Sequence, residues 1–264
     1  MRKARLLAPI LGAASALIAA VAFAAPASAS SVNYVALGDS YSSGVGAGSY
    51  ISSSGDCDRS TNAYPYLWAS ANSPASFAFA ACSGATTDTV ESGQLSSLSS
   101  STNLVSITVG GNDVGFSDIM TTCVLGSTSS CVAAVNEAEQ KAEDELPAKL
   151  DTLYNDIHAD APNARVVVLD YPVFYQLGTT CIGLSDTDHQ KIDEGIGILD
   201  GVISDAAGRH GFTFADVRSI FVGHQLCSGS AWLHALNYLD IDESYHPTAT
   251  GQSSGYNPVF TSAA

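Results

Sequence analysis

Four short blocks hold residues whose types and spacing suit acyl transfer. Gly38-Asp39-Ser40-Tyr41-Ser42 offers a serine hydroxyl at the end of an apolar run. Serine alone is a weak nucleophile and needs a base. Gly, Asp and Ser also favour ordinary turns, so this block decides nothing by itself. Ala81-Cys82-Ser83-Gly84-Ala85 offers a glycine whose backbone N–H can approach a bound oxyanion, although for this block alone a plain loop glycine after a disulfide cysteine is the stronger reading. Val109-Gly110-Gly111-Asn112-Asp113 offers paired glycines and the Asn112 amide. A type I′ turn would set Asn before Gly; the order here is reversed, which favours a role toward a ligand. Glu243-Ser244-Tyr245-His246-Pro247 offers an imidazole, the commonest general base. Pro247 can open a helix, which places His246 just before a first turn.

The other histidines are weaker candidates. His158, His189 and His210 fall in helical or helix-end stretches and are expected at the surface. His224 and His234 fall in a loop near Cys227, where structural hydrogen bonding competes with metal ligation. Two further motifs mislead. Gly251-Gln252-Ser253-Ser254-Gly255 fits G-x-S-x-G, but no strand precedes it and no histidine follows it. Gly44-Val45-Gly46-Ala47-Gly48 lacks the spacing of a nucleotide loop and is expected to be a flexible loop near the active site.

The elements that must position these blocks are legible as runs and stripes. Val32 to Leu37, Phe77 to Ala81, Leu104 to Val109, Arg165 to Leu169 and Phe212 to Ala215 are short and apolar, with turn residues nearby. That pattern predicts five buried strands. From Cys131 to Ala159, Val132, Val135, Ala142, Leu146, Leu150, Leu153 and Ile157 form one helical stripe, which Pro147 should kink or restart. Ile192, Ile196, Leu199, Val202, Ile203 and Ala206 form another between Asp186 and His210, ended by Gly211. A shorter helix is expected from Tyr64 to Ala71. Strands alternating with helices imply parallel pairing in a three-layer α/β domain. Ligands bind such sheets beyond the carboxyl ends of the strands, where the Ser40, Gly84 and Asn112 blocks stand.

The order Ser40, Gly84, Asn112, His246, with the flanking words GDSYS, GGND and YHP, resembles the SGNH (GDSL) hydrolases across essentially the whole chain after its leader. In size and cysteine pattern the resemblance is closest to the secreted lipases, esterases and phospholipases A1 of Streptomyces. It implies a flavodoxin-like fold with a five-stranded parallel sheet. It also implies disulfides Cys57–Cys82, Cys123–Cys131 and Cys181–Cys227. Ser40 would be the nucleophile and His246 the base. The backbone N–H groups of Ser40 and Gly84 and the Asn112 side chain would form the oxyanion hole. The family often carries Asp three residues before the histidine; here Glu243, one methylene longer, holds that place. Some relatives orient the histidine with a main-chain carbonyl, and the Ser244 carbonyl is the candidate here. We prefer Ser244, with Glu243 as the alternative. The mechanism requires no cofactor and no metal.

Bulk properties agree with this reading. Arg2, Lys3 and Arg5, then an apolar stretch from Leu6 to Ala25, then Ala27-Ser28-Ala29 read as a secretory signal peptide over residues 1–29. A single domain would fill residues 30–264. Six cysteines in a secreted chain suggest three disulfides, with connectivity open on spacing alone. No C-x-x-C occurs, which disfavours zinc. Beyond the leader, seven basic residues face 26 acidic ones, a net −19. Nucleic acid is excluded as a partner on that charge, and tight adsorption to anionic membranes is disfavoured. The expected protein is an extracellular, monomeric enzyme that releases fatty acids from lipid esters and meets lipid surfaces transiently. A carbohydrate or short-chain acetyl esterase and a non-catalytic binding protein are the alternatives. Asp170 to Tyr175, with Ile119, Met120, Leu177 and Trp232, are candidates for an acyl groove or for plain core packing.

Overall fold

The computed structural model describes Met1 and residues 31–264. The signal peptide expected over residues 1–29 lies, Met1 aside, outside the described residues. All five expected strands form: β1 Asn33–Ala36, β2 Ser76–Phe79, β3 Leu104–Ile107, β4 Arg165–Leu169 and β5 Thr213–Ala215. Each apolar run exceeds its strand by at most two residues at either end, and the excess on β1, β2 and β3 becomes the turn toward a candidate block. The strands pair in parallel in the order β2-β1-β3-β4-β5. β3 is buried throughout, and β1 and β4 are buried except at their first residues. Strands covered on both faces explain the continuous Val and Ile runs.

Helices cover both faces of the sheet. The chain has α1 Ser40–Ser43, α2 Tyr64–Asn72, α3 Thr87–Gly93, α4 Phe116–Leu125, α5 Thr128–Asp144, α6 Leu146–Asp160, α7 Asp186–Arg209, α8 Arg218–Phe221 and α9 Asn257–Ala263. Side chains alternate along a strand, so Tyr34 of β1 points to one face. There its ring packs 5.2 Å from Trp68 of α2 and 5.4 Å from Phe260 of α9. The stripe from Cys131 to Ala159 is two helices. Pro147 lies in the first turn of α6, where its missing N–H costs nothing. The helix from Asp186 starts on a capping box between Ser185 and Asp188 and ends at His210, before left-handed Gly211. Among the described residues, no helix is long and apolar enough to cross a membrane.

Three expectations need correction. His189 is buried, because its ring stacks on Tyr175 at 4.0 Å. Pro247 starts no helix; it bridges to Leu233, and helical backbone begins two residues later. The loop from Gly44 to Ala47 is buried rather than free, for reasons given below.

The disulfides are Cys57–Cys82, Cys123–Cys131 and Cys181–Cys227, the pairing the resemblance implies. The first lies two residues before Gly84. The second straps α4 to α5. Cys181 and Cys227 also lie beside His189, but thiols joined to each other are not available as metal ligands.

Leu153 of α6 is fully buried. Leu153→Ala should lower unfolding stability by about 2–5 kcal/mol, from lost burial plus the cavity left behind. Urea denaturation of the purified protein measures this directly; no shift in midpoint would show that the site collapses freely around the deletion.

Candidate active site

The turn after β1 fixes Ser40. Gly38 has φ +120°, and a Cβ there would run into the Thr108 backbone of the neighbouring β3 turn. Gln94 clamps this glycine from the side: its Oε1 accepts from Gly38 N–H and its Nε2 donates to the Gly38 carbonyl, both at 2.8 Å. Asp39 caps α1 by accepting from the Tyr41 N–H. Its other oxygen accepts from the Tyr171 hydroxyl, which in turn accepts from Gly111 N–H at 3.0 Å. Burial pushes the Asp39 carboxyl up to about 7, against the pull of the Tyr171 and Tyr41 hydrogen bonds. Ser40 is thus the first residue of a short helix, and its backbone N–H has no acceptor within the described chain.

His246 reaches Ser40 from 206 residues away. Its Nε2 lies 2.7 Å from Ser40 Oγ, and its Nδ1 lies 3.1 Å from the Ser244 carbonyl oxygen. A carbonyl can only accept, so Nδ1 carries the proton and Nε2 is left free to accept from the serine hydroxyl. Both side chains are buried. Burial lowers the His246 pKa to about 4, and the Ser244 carbonyl opposes that shift only in part. The ring therefore stays neutral over the whole ordinary pH range.

The turn that aims His246 is strained. Tyr245 adopts φ +67°, an uncommon conformation for a bulky residue that costs on the order of 1–3 kcal/mol. Packing holds it there. The Tyr245 ring stacks 5.7 Å from Phe174, and its carbonyl accepts from the Tyr41 hydroxyl at 2.8 Å. Backbone bonds from Tyr245 N–H to the His234 carbonyl and from His234 N–H to the His246 carbonyl clamp the segment. His234 also donates from Nε2 to the Gly46 carbonyl at 2.7 Å. The loop at Gly46 thus buttresses His246, and this is why it is buried. His224 stacks flat on Trp232 at 3.6 Å. Both loop histidines are engaged in packing and hydrogen bonding.

Glu243 points elsewhere. Its Oε1 accepts from the Tyr50 hydroxyl at 3.0 Å, and that hydroxyl accepts from Gly46 N–H. Only the Glu243 backbone carbonyl meets His246, through the His246 N–H.

The other two blocks converge on the same point. Gly84 has φ +74°, and its N–H has no acceptor within the described chain. Asn112 donates one amide N–H to the Ala85 carbonyl at 3.0 Å, which leaves its second for a ligand. Asp113 accepts from Thr87 N–H and from the Thr87 hydroxyl. The GGND block therefore straps the loop that carries Gly84. Ser40, Gly84, Asn112 and His246 all line one cleft of about 520 Å³.

Residues 36–253 match the GDSL-like Lipase/Acylhydrolase family. The chain belongs to that family. It is 60% identical over 255 residues to Lipase 1 of Streptomyces coelicolor, covering 97% of this chain and 95% of that one. Among solved structures it is similar to phospholipase A1 from Streptomyces albidoflavus, at 55% identity and a TM-score of 0.87 over 88% of this chain and 99% of that one. It is equally similar to the extracellular lipase from Streptomyces rimosus, at 52% identity and a TM-score of 0.87 over 88% and 100%. This GDSL-family chain is an ester hydrolase of the lipase type.

The groove of this family member differs from the one expected. Its walls are α4, through Phe116, Met120, Val124 and Leu125, and the facing loop, through Leu236, Tyr238 and Ile241. Of the expected groove residues only Met120 lines it. Tyr171 is buried beneath, holding Asp39, and Tyr175 packs against His189. The G-x-S-x-G match is a π-helical segment with Ser253 exposed; its Gln252 bonds Tyr64 N–H and the Tyr41 carbonyl. Gln94, Tyr41 and Gln252 position the site without any signal in the sequence, since isolated buried Gln and Tyr residues resemble surface ones until the fold is known.

Two measurements test the histidine geometry. The acid limb of kcat/KM on a soluble ester should fall only as the pH drops through about 4, because a protonated imidazole cannot take the serine proton. A limb near the ordinary histidine value of about 6.5 would show that burial does not depress His246. Glu243→Ala should keep most activity, whereas His246→Ala should lose about 10²- to 10⁴-fold; equal losses would mean that Glu243 acts on the imidazole.

Proposed function

We propose that this protein is a secreted lipase or phospholipase A1 that works through an acyl-enzyme on Ser40, with His246 as general base. One observation carries the reading: the Ser40–His246 contact at 2.7 Å with the imidazole tautomer set by the Ser244 carbonyl. Ser40 Oγ attacks the ester carbonyl while His246 Nε2 takes its proton. The oxyanion is held by Ser40 N–H, Gly84 N–H and the free Asn112 amide N–H, each such donor being worth about 10²- to 10³-fold in rate. His246 then protonates the leaving alcohol, and water attacks the acyl-enzyme with the same base. Ser244, not Glu243, orients the ring.

The substrate class follows from the cleft and from the relatives. One wall is apolar along α4, and the relatives are named as lipases and a phospholipase A1. Leu125, Tyr238, Leu239 and Ile241 are exposed at the rim, a suitable contact for a lipid surface. The acidic balance favours a zwitterionic surface over an anionic one. Residues 1–29 act as the secretory leader of a single domain over 30–264, and three disulfides suit an oxidising compartment.

The deciding experiment measures fatty-acid release by the mature protein from phosphatidylcholine and from a matched triacylglycerol, with Ser40→Ala and chelator controls. Release that survives chelation and vanishes in Ser40→Ala is expected, and the preferred lipid separates phospholipase from lipase. Release from neither lipid redirects the reading to short or carbohydrate esters. Full activity in Ser40→Ala would remove Ser40 from the mechanism.

A further inference from the structure

Two small chambers lie behind the floor of the cleft. The first, about 30 Å³, is bounded by Ser40, Asn112, Phe116, Tyr171, Phe174 and Ile196 among others. The second, about 60 Å³, runs beneath α4 between Ile119, Met120, Val135, Ala138, Ala142 and Gly195. Gly111, Phe116, Ile196 and Leu199 border both chambers, and Phe116 borders the cleft as well. Phe116 is thus the one residue that borders all three spaces, at the junction between Ser40 and an apolar hollow between α4, α5 and α7.

Small residues on α5 and α7 complete a lining that is otherwise made of large apolar side chains. Gly195 of α7 faces Val135 of α5, and a Cβ on the glycine would stand only 2.8 Å from Val135 Cγ1. Ala138 and Ala142 continue the same face. Its one charged neighbour is Glu139. One Glu139 oxygen is paired with Lys191 at 2.8 Å, and the other is buried without a hydrogen-bond partner. Protein interiors are close-packed, and apolar space can take up apolar groups; this hollow has room for only a few methylenes.

Phe116 is held at its side chain by ring contacts alone. It is the first residue of α4, after left-handed Gly115. Its ring touches Phe174 and Tyr245 edge-on, at 5.7 and 6.4 Å. No polar contact holds the ring, so rotation breaks no hydrogen bond.

We propose that Phe116 gates these chambers and that they take the distal methylenes of a long acyl chain, which makes Phe116 and the face at Ala138 determinants of chain-length preference. This deepens the lipase reading and rests on it. The fatty acyl carbonyl lies at Ser40, the chain turns at the Phe116 ring beside it, and the methylenes beyond that ring enter the hollow under α4.

The test is the ratio of kcat/KM for C16 over C4 acyl esters, presented in the same detergent micelles. Ala138→Leu, which fills the hollow, should lower this ratio about tenfold, the lower end of what one methylene's worth of pocket contact changes. Phe116→Ala, which removes the gate, should raise it by a similar factor, and Ala138→Leu added to Phe116→Ala should cancel that gain. Thermal melting and Ser40 labelling by a fluorophosphonate establish that each variant is folded, and Ala142→Val replaces Ala138→Leu if the latter is not. A ratio unmoved by the filling variants while C4 hydrolysis remains Ser40-dependent overturns the chamber and leaves the lipase reading intact. A wild-type protein that cleaves neither ester overturns both.

Discussion

The site depends on one buried chain of hydrogen bonds: Gly111 N–H to the Tyr171 hydroxyl, and that hydroxyl to Asp39. Each of the three residues follows a different central strand, so the chain ties the carboxyl ends of β1, β3 and β4 at one depth. Ser40 follows Asp39 directly, and Asn112 follows Gly111. The candidate nucleophile and the candidate oxyanion donor are therefore placed by the same contact. A buried carboxylate is costly unless it is hydrogen-bonded, and Asp39 accepts from both the Tyr171 hydroxyl and the Tyr41 N–H. The burial that makes the carboxylate costly also makes the link rigid, since no water competes for it.

The histidine arm answers a different problem. Nothing in the sheet holds His246, so its position comes from a left-handed turn at Tyr245 and from three anchors: the Tyr41 hydroxyl, the His234 backbone and the Gly46 loop. A carbonyl partner sets the tautomer as surely as a carboxylate would. It stabilises an imidazolium less, because a dipole attracts a cation more weakly than a full negative charge does. Low basicity follows from burial, which the carbonyl offsets only in part. The longer Glu243 side chain swings out to Tyr50, where its hydrogen bond helps to hold the Gly46 loop against His246.

Much of this was legible in the residues themselves. The strands are legible because buried parallel strands require continuous Val and Ile runs, and the helices because one-sided burial imposes a stripe. Ser40, Gly84 and Asn112 are legible as candidates because acyl transfer needs a nucleophile and donors and each follows a strand, and His246 is legible as a candidate base only from its own block, since no strand leads to it. The lining of the cleft was not. Tyr171 and Tyr175 have the composition of a groove, yet they lie in the interior, because their burial depends on contacts with Asp39 and His189 that are distant in sequence. The same holds for His189, an isolated helical histidine whose surroundings are set by another element. Gln94 and Gln252 bond only backbone atoms of distant segments, and that kind of role leaves no trace in spacing.

The separation between chemistry and substrate binding follows from this architecture. The candidate reacting groups stand beyond strand ends and, for His246, on a turn clamped by Tyr41, His234 and the Gly46 loop. The cleft walls stand on α4 and on the loop from Leu236 to Ile241, neither of which carries a reacting group. α4 is nonetheless restrained, since Cys123 near its end is bridged to Cys131 at the start of α5. A wall held at its far end by a disulfide and at its near end by the GGND turn can change its facing side chains without shifting Asn112. Substrate preference can then be altered along Phe116, Met120 and Val124 while the Ser40–His246 contact is left as it is. The converse does not hold: a change at Tyr171 or Gly38 would disturb strand ends, and every donor at the site would move with them.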